Sequence, residues 1–262
     1  MKLTGTFTLF LCLFFKVLYS DVYAQNKLHV GIEIGPKQEH FTYEDPNRLM
    51  YQKEYRHTIK GISISYELNK DYSLESGLYS NPQTTNVNTT IAPMYYGWNR
   101  PDRMLQIPIR LSRELYVINS KLSLRGQIGA SYSYNYRANC PTQECYISSE
   151  LYSSEIGNNG TSDFPYFEAK VYALNKHAWL GEAGISLNYK LKPKLNLALA
   201  ASYYHGFRDI TRIYSAWHED ESTKITAFSY SKGSSTNFLL KLSYQLFDFS
   251  KPKNPPDEYF KN

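Results

Sequence analysis

The sequence predicts an all-β fold, an eight-stranded antiparallel up-and-down β-barrel, and three observations predict it. After Gln25 the chain alternates apolar and polar residues with a period of two, the signature of half-buried strands. Short and long connections alternate strictly between those runs. Tyrosine is in excess, with 25 residues among 262, and the tyrosines sort to the ends of the runs.

Eight runs carry the pattern. In the first, Leu28, Val30, Ile32 and Ile34 alternate with His29, Gly31, Glu33 and Gly35. The second sets Ile62, Ile64, Tyr66 and Leu68 against Gly61, Ser63, Ser65 and Glu67. A third has Tyr72, Leu74 and Leu78 opposing Ser73, Glu75 and Gly77. The fourth places Leu105, Ile107, Ile109 and Leu111 opposite Gln106, Pro108, Arg110 and Ser112. Leu122, Leu124, Ile128, Ala130, Tyr132 and Tyr134 form the apolar face of the fifth, opposite Arg125, Gln127 and small residues. The sixth runs from Trp179 through Ala183, Ile185, Leu187 and Tyr189, with Glu182 on its other face. Leu195, Leu197, Leu199, Ala201 and Tyr203 make the seventh. The eighth alternates Phe238, Leu240, Leu242, Tyr244 and Leu246 with Leu239, Lys241, Ser243 and Gln245.

Connection lengths decide between a soluble sandwich and a membrane barrel. Asn69-Lys70-Asp71, Asn119-Ser120-Lys121 and Lys190 to Lys194 are tight turns, whereas 36–56, 81–103, 137–176 and 208–235 are long. A sandwich has no reason to put every long loop at one end. Outer-membrane barrels do, with short periplasmic turns and longer extracellular loops. Run lengths near the roughly 9–11 residues a tilted strand needs to cross a bilayer agree. Tyr66, Tyr72, Tyr189 and Tyr244 then fall at the periplasmic ends, and Tyr132, Tyr134, Trp179, Tyr203 and Phe238 at the outer ends. Two aromatic girdles around a Leu/Ile/Val band are what headgroup-level anchoring produces. Phe247 and Phe249 break the alternation, so either a bulge shifts the register after Leu246 or the strand stops there.

Composition fits one all-β domain: 42% of residues are hydrophobic and 20% charged, with a mean hydropathy of −0.50. The net charge of +5 comes without a Lys/Arg run, so nucleic-acid binding has no support. Residues 1–24 read as an export signal: Lys2 supplies the positive start, Phe7 to Phe15 the apolar stretch, and Val22-Tyr23-Ala24 the cleavage site before Gln25. Lys16 interrupts that stretch well short of the roughly 20 residues of a spanning helix. Leu11 before Cys12 is too large for a lipoprotein signal. Residues 25–249 form the barrel and 250–262 a short periplasmic tail. Cleavage leaves Cys140 and Cys145, a pair expected to form a disulfide in an oxidising compartment, with free thiols or a metal as the alternatives.

Several segments resemble a known family. Leu105-Gln106-Ile107-Pro108-Ile109 resembles a strand of Bacteroidetes-type outer-membrane β-barrel proteins, a small OmpA/OmpX-like eight-stranded group. Gly129-Ala130-Ser131-Tyr132-Ser133-Tyr134 and Tyr204-His205-Gly206-Phe207-Arg208-Asp209-Ile210 are similar to two other strands of that group. The resemblance implies a bacterial outer-membrane location and admits a secretion-associated, PorT-like subset. Many such barrels finish on a terminal aromatic, whereas here Phe249 is followed by a tail bearing Pro and Lys.

A barrel of eight strands is just wide enough for its side chains to fill. The facing pattern places Glu67, Glu75 and Arg125 together near the periplasmic side, and Glu33, Arg110, Glu182 and Lys241 in a middle layer. An unpaired buried charge is costly, so these opposite charges read first as a structural plug, with a conduction path as the alternative. His205, with Ser202 and Asp209 nearby, invites comparison with eight-stranded lipid A deacylases, which such a resemblance would make lipid hydrolases. The His-x-Ser spacing is missing, and alternation sends Ser202 and His205 to opposite faces. No catalytic residue, cofactor site or metal site is therefore assigned. The long loops are the candidates for binding, and 137–176 reads either as a folded surface lobe or as an ordinary solvated loop. The sequence thus points to a non-enzymatic surface binding or scaffold barrel, or an accessory of a secretion or uptake machine. A lipid hydrolase and a narrow pore are the alternatives. Outer-membrane lipid and lipopolysaccharide are the expected partners, with a protein partner through the extracellular loops.

Overall fold

A computed structural model describes residues 27–48, 56–83, 87–88, 95–96, 102–135, 145–153, 166–218 and 222–249. The export signal, the tail and Cys140 lie outside the described residues, as does the side chain of Cys145. Eight strands close the barrel: β1 (Lys27–Glu44), β2 (Arg56–Glu67), β3 (Tyr72–Gln83), β6 (Asp102–Val117), β7 (Leu122–Asn135), β10 (His177–Lys192), β11 (Leu195–Gly206) and β13 (Lys224–Asp248). Each is antiparallel to its neighbours, and β1 pairs with β13 to shut the ring.

The wall is inside-out relative to a soluble protein. Ile32, Ile62, Ile64, Ile109, Ile128, Ile185, Leu199 and Leu240 are exposed, as alternation requires when the surrounding solvent is lipid. Trp179, Tyr203 and Phe238 project from the outer ends, and Tyr189 and Tyr244 from the periplasmic ends. Turn chemistry is local. Asn69 Oδ1 accepts hydrogen bonds from the amides of Asp71 and Tyr72 at 2.9 and 2.8 Å, and Asn119 does the same for Lys121 and Leu122. Such Asx turns explain why both tight turns begin with Asn.

Three bulges occur at the periplasmic rim, where the register slips at Leu115, Leu191 and Leu246. Each inserts an exposed leucine. The bulge at Leu246 brings Phe247 outward, resolving the break in alternation in favour of a register shift.

The long outer connections carry strand structure of their own. β1 continues to Glu44 rather than stopping near Gly35, and β13 begins at Lys224 rather than near Phe238. Within 137–176 lie β8 (Cys145–Ser153) and β9 (Tyr166–Ala173), and β12 (Thr211–His218) lies within 208–235. A short ladder, β4 (Val87–Asn88) with β5 (Tyr95–Tyr96), occupies the second connection. The order β13-β12-β9-β8 prolongs the sheet outward. In chain order β12 follows β11 and β9 precedes β10, so each of these outer strands continues a barrel strand past a break of a few residues. The breaks explain why the runs were invisible as one pattern. At the last of them Gly233, at φ 76°, lets β13 kink without ending.

Candidate functional site: the layered lumen

The lumen is built from the inward positions of the alternating strands, and it is stratified. At its centre Arg110 of β6 is fully enclosed. Its Nε donates to Glu182 at 2.9 Å, and Nη1 reaches Glu75 at 2.7 Å and Glu33 at 3.3 Å. The hydroxyls of Tyr79 and Tyr204 accept from the same guanidinium at 3.0 and 2.8 Å. Lys241 meets Glu33 at 3.2 Å and also contacts Glu75. Gln127 bridges Glu182 and Ser202 at 3.2 and 2.6 Å. Five donor positions in a planar fork make arginine the side chain suited to hold several carboxylates at once.

The expected middle layer of Glu33, Arg110, Glu182 and Lys241 is thus brought together, and it gains Glu75. The expected periplasmic trio of Glu67, Glu75 and Arg125 lines one cavity, but its members make no ion pair with one another. Glu75 sits opposite Arg110 in the β3–β6 register, which lifts it into the central layer. Glu67 instead pairs with His29 at 3.2 Å, while Arg125 lies 3.9 Å from Glu114 and 3.3 Å from the Ser73 hydroxyl. Tyr79 and Tyr204 were missed, although each directly follows an outward residue, Leu78 or Tyr203, and alternation alone turns it inward. Gly61 makes the room: a Cβ there would lie 2.4 Å from the Tyr79 ring.

On the periplasmic side of these charges is a cavity of about 490 Å³, lined by groups such as Lys27, Glu67, Ser73, Arg125 and Asn188, and ending at Leu239 and Ala200. On the outer side the lumen is filled. Ile59, Tyr79 and Leu239 form an apolar layer. Above it Lys37 donates to Asn81 at 2.7 Å and to the Pro82 carbonyl at 2.9 Å, and Asn81 donates to Gln106 at 2.7 Å. Met104, Ala178 and Ile210 close the mouth. Among the described residues, the cavity therefore lies on the periplasmic side and packed side chains occupy the outer side of the lumen.

Ser202 is buried on the lumen side, whereas His205 is exposed on the lipid side with its ring edge-on to Phe207 at 5.4 Å. The Asp209 carbonyl accepts from Asn175. These three residues form no nucleophile–base–acid relay. Among the described residues no group of His, Cys, Asp and Glu is arranged to hold a metal ion.

Residues 23–212 match the model of the outer membrane protein beta-barrel domain family. The chain belongs to that family. It is a protein of the bacterial outer membrane. No curated protein matches it. Among solved structures it is similar to OprG of Pseudomonas aeruginosa, at 11% identity and a TM-score of 0.42 over 86% of this chain and 99% of that one. The outer membrane protein W of E. coli gives 10% identity and a TM-score of 0.39 over 85% and 98%. The outer membrane protease OmpT of Escherichia coli gives 8% and 0.38 over 84% and 96%.

Proposed function

We propose that this barrel is a non-enzymatic surface scaffold whose raised outer wall binds ligand or partner, the closed lumen serving as its structural plug. One observation carries the reading: inward residues fill the outer half of the lumen in successive layers while five strands continue the wall beyond the bilayer. Material invested above the membrane, rather than space within it, is where recognition has room to occur. The separation of Ser202 and His205 supports reading the chain without hydrolase chemistry. The Leu105–Ile109 run supports placing it in the Bacteroidetes-type subset, where a secretion or uptake accessory role would use the same wall. The Lys2 start, the Phe7–Phe15 stretch and Val22-Tyr23-Ala24 support cleavage after residue 24, and compartment chemistry supports a Cys140–Cys145 disulfide.

Reconstitution of the full chain in planar bilayers tests the plug. The expected result is leak-level current with no discrete openings. Stepwise openings, or an altered acyl pattern of membrane lipid A that depends on His205, would overturn the reading.

A further inference from the structure

The two halves of the lumen are furnished with side chains of different size. Toward the outside, Lys37, Tyr79, Met104, Gln106 and Tyr204 are fully buried. Toward the periplasm the inward positions include Ser65, Ser73, Ser112, Ser186, Ala198 and Ser243. An eight-stranded barrel is only just wide enough for its side chains to fill. Small residues at those positions leave room, and the room is the cavity of about 490 Å³. That volume falls within the roughly 300–1,000 Å³ of small-molecule clefts. A plug has no need of it.

Charge lies at two levels in this cavity. Its ceiling is the central cluster, where Glu33, Glu75 and Glu182 outnumber Arg110 and Lys241. Glu33 lines the cavity and is only 4% exposed. Its Oε1 lies 3.2 Å from Lys241 Nζ but accepts no hydrogen bond among the described residues. At the rim the balance reverses: Lys27, Lys70, Arg125 and Lys190 outnumber Glu67, Asp71 and Glu114. The Nε of Arg125 is buried and donates to nothing among the described residues. Its Nη1 lies 3.3 Å from the Ser73 hydroxyl, and its Nη2 stays 3.9 Å from Glu114. Ser73 and Glu75, which touch Arg125 and Arg110, are alternate residues of β3, so the two levels are roughly 7 Å apart along that strand. Facing them, β10, β11 and β13 bring Ser186, Asn188, Asn196 and Ser243 beside the methyls of Ala198 and Ala200.

A complementary ligand carries a cation inward, an anion outward, and between them groups that both donate and accept. An acid without an amine serves the rim alone, and an amine without an acid serves the ceiling alone. A short peptide with both ends free serves both. Its ammonium faces Glu33, its carboxylate takes the open edge of Arg125, and its amides meet the serine and asparagine side chains. Two or three extended residues span roughly 7–11 Å, which matches the separation of the levels.

We infer that the periplasm-facing half of the lumen is a binding site for a di- or tripeptide with free ends, its amino end innermost and its carboxylate on Arg125. The inference goes beyond the scaffold reading, and it asks for entry into the lumen, not passage through it.

The test titrates the full-length protein in detergent micelles with trialanine, N-acetyl-trialanine and trialanine amide, read by calorimetry. Trialanine should bind saturably with a Kd below about 1 mM. Each blocked peptide should bind about tenfold more weakly, the fold-change of one charge-assisted hydrogen bond. Arg125→Gln should weaken trialanine to the level of its amide and so abolish the preference for a free carboxylate, while keeping the preference for a free amine. Arg113→Gln, on the outward face of the same rim, should change nothing. Heat-modifiable gel mobility checks that both variants are folded. Should Arg125→Gln not fold, the blocked peptides read the same contacts on the wild type. Absence of saturable binding, equal affinity for the three peptides, or an undiminished carboxylate preference in folded Arg125→Gln would overturn the inference. Saturable binding together with stepwise bilayer current would retire the plug and keep this site.

Discussion

The two tiers of the wall share β1 and β13 yet obey opposite rules. In the membrane tier the outward positions are Ile, Leu and Val and the inward ones are charged, with Arg110 buried among carboxylates. In the outer tier many inward positions of β12 and β13 are small and neutral, as at Ser215, Ala227, Ser229 and Ser231, with Ile213 and the Glu39 carboxylate of β1 among them, and the outward ones are Arg212, Tyr214, Phe228 and Tyr230. The backbone pattern is unchanged, so the difference comes from the medium outside. Lipid requires an apolar exterior, which sends polar groups inward, where they must pair. Above the lipid that constraint lapses, and amphipathic rings and cations can face out. A five-residue charge cluster holds the lower tier, whereas small residues and a buried hydrogen bond from Ser231 to Glu39 hold the upper.

The largest expected effect separates these two kinds of cohesion. Arg110→Leu should cost roughly 3–5 kcal/mol by stranding buried carboxylates, whereas Arg113→Leu, at an exposed arginine 5.5 Å from the Tyr72 ring, should cost at most about 1 kcal/mol. Urea unfolding of both variants in one lipid measures the difference. Equal losses would mean that the lower tier does not depend on its charge layer.

A smaller effect tests the joint between the tiers. A Cβ at Gly206 would lie 1.7 Å from the Lys232 carbonyl oxygen, and the Gly206 amide donates to Ser234 Oγ at 3.0 Å. Gly206→Val should therefore cost about 1–3 kcal/mol through overpacking. Its signature should be local: faster tryptic cutting at Arg212 and Lys224 on intact cells, with the turn from Lys190 to Lys194 still protected and heat-modifiable mobility retained. Loss of that mobility would show that the tiers cannot be uncoupled.

The smallest effect belongs to the upper tier alone. Burial, aided by the Glu39 carboxylate, pushes the Tyr43 hydroxyl up to about 12. An unfolded tyrosine ionises near about 10. Because the folded value is the higher, the stabilisation is complete below pH about 10 and is lost as pH rises through about 12. A tyrosinate difference titration between the wild type and Tyr43→Phe should show one hydroxyl ionising late. A difference centred near about 10 would place Tyr43 in solvent.

The legibility of the sequence divides along the same line. Outward residues of the membrane tier were readable because a two-residue period shows directly in Ile62–Tyr66 or Leu105–Leu111. The height at which an inward group sits was not, since it depends on the stagger between strands, and Glu75 was placed with Glu67 for that reason. The upper tier is hard to see in the sequence because Gly233, the 207–210 turn and runs of serine interrupt the period. Tyr204 follows from alternation alone, as the inward neighbour of the girdle residue Tyr203.

The length of β13 bears on how the molecule comes together. Its 25 residues pair with β1, β11 and β12, and Glu33 finds Lys241 across more than two hundred residues of chain. Contacts so remote in sequence form slowly, because loop closure must precede any reward from pairing. Until β13 docks, β1 and β11 stand as open edges, able to recruit strands from other chains. Both tiers therefore mature in a single late event. A nascent chain in transit needs its edges shielded until that event, and a lesion anywhere along β13 should be felt as failed assembly before it is felt as lost binding.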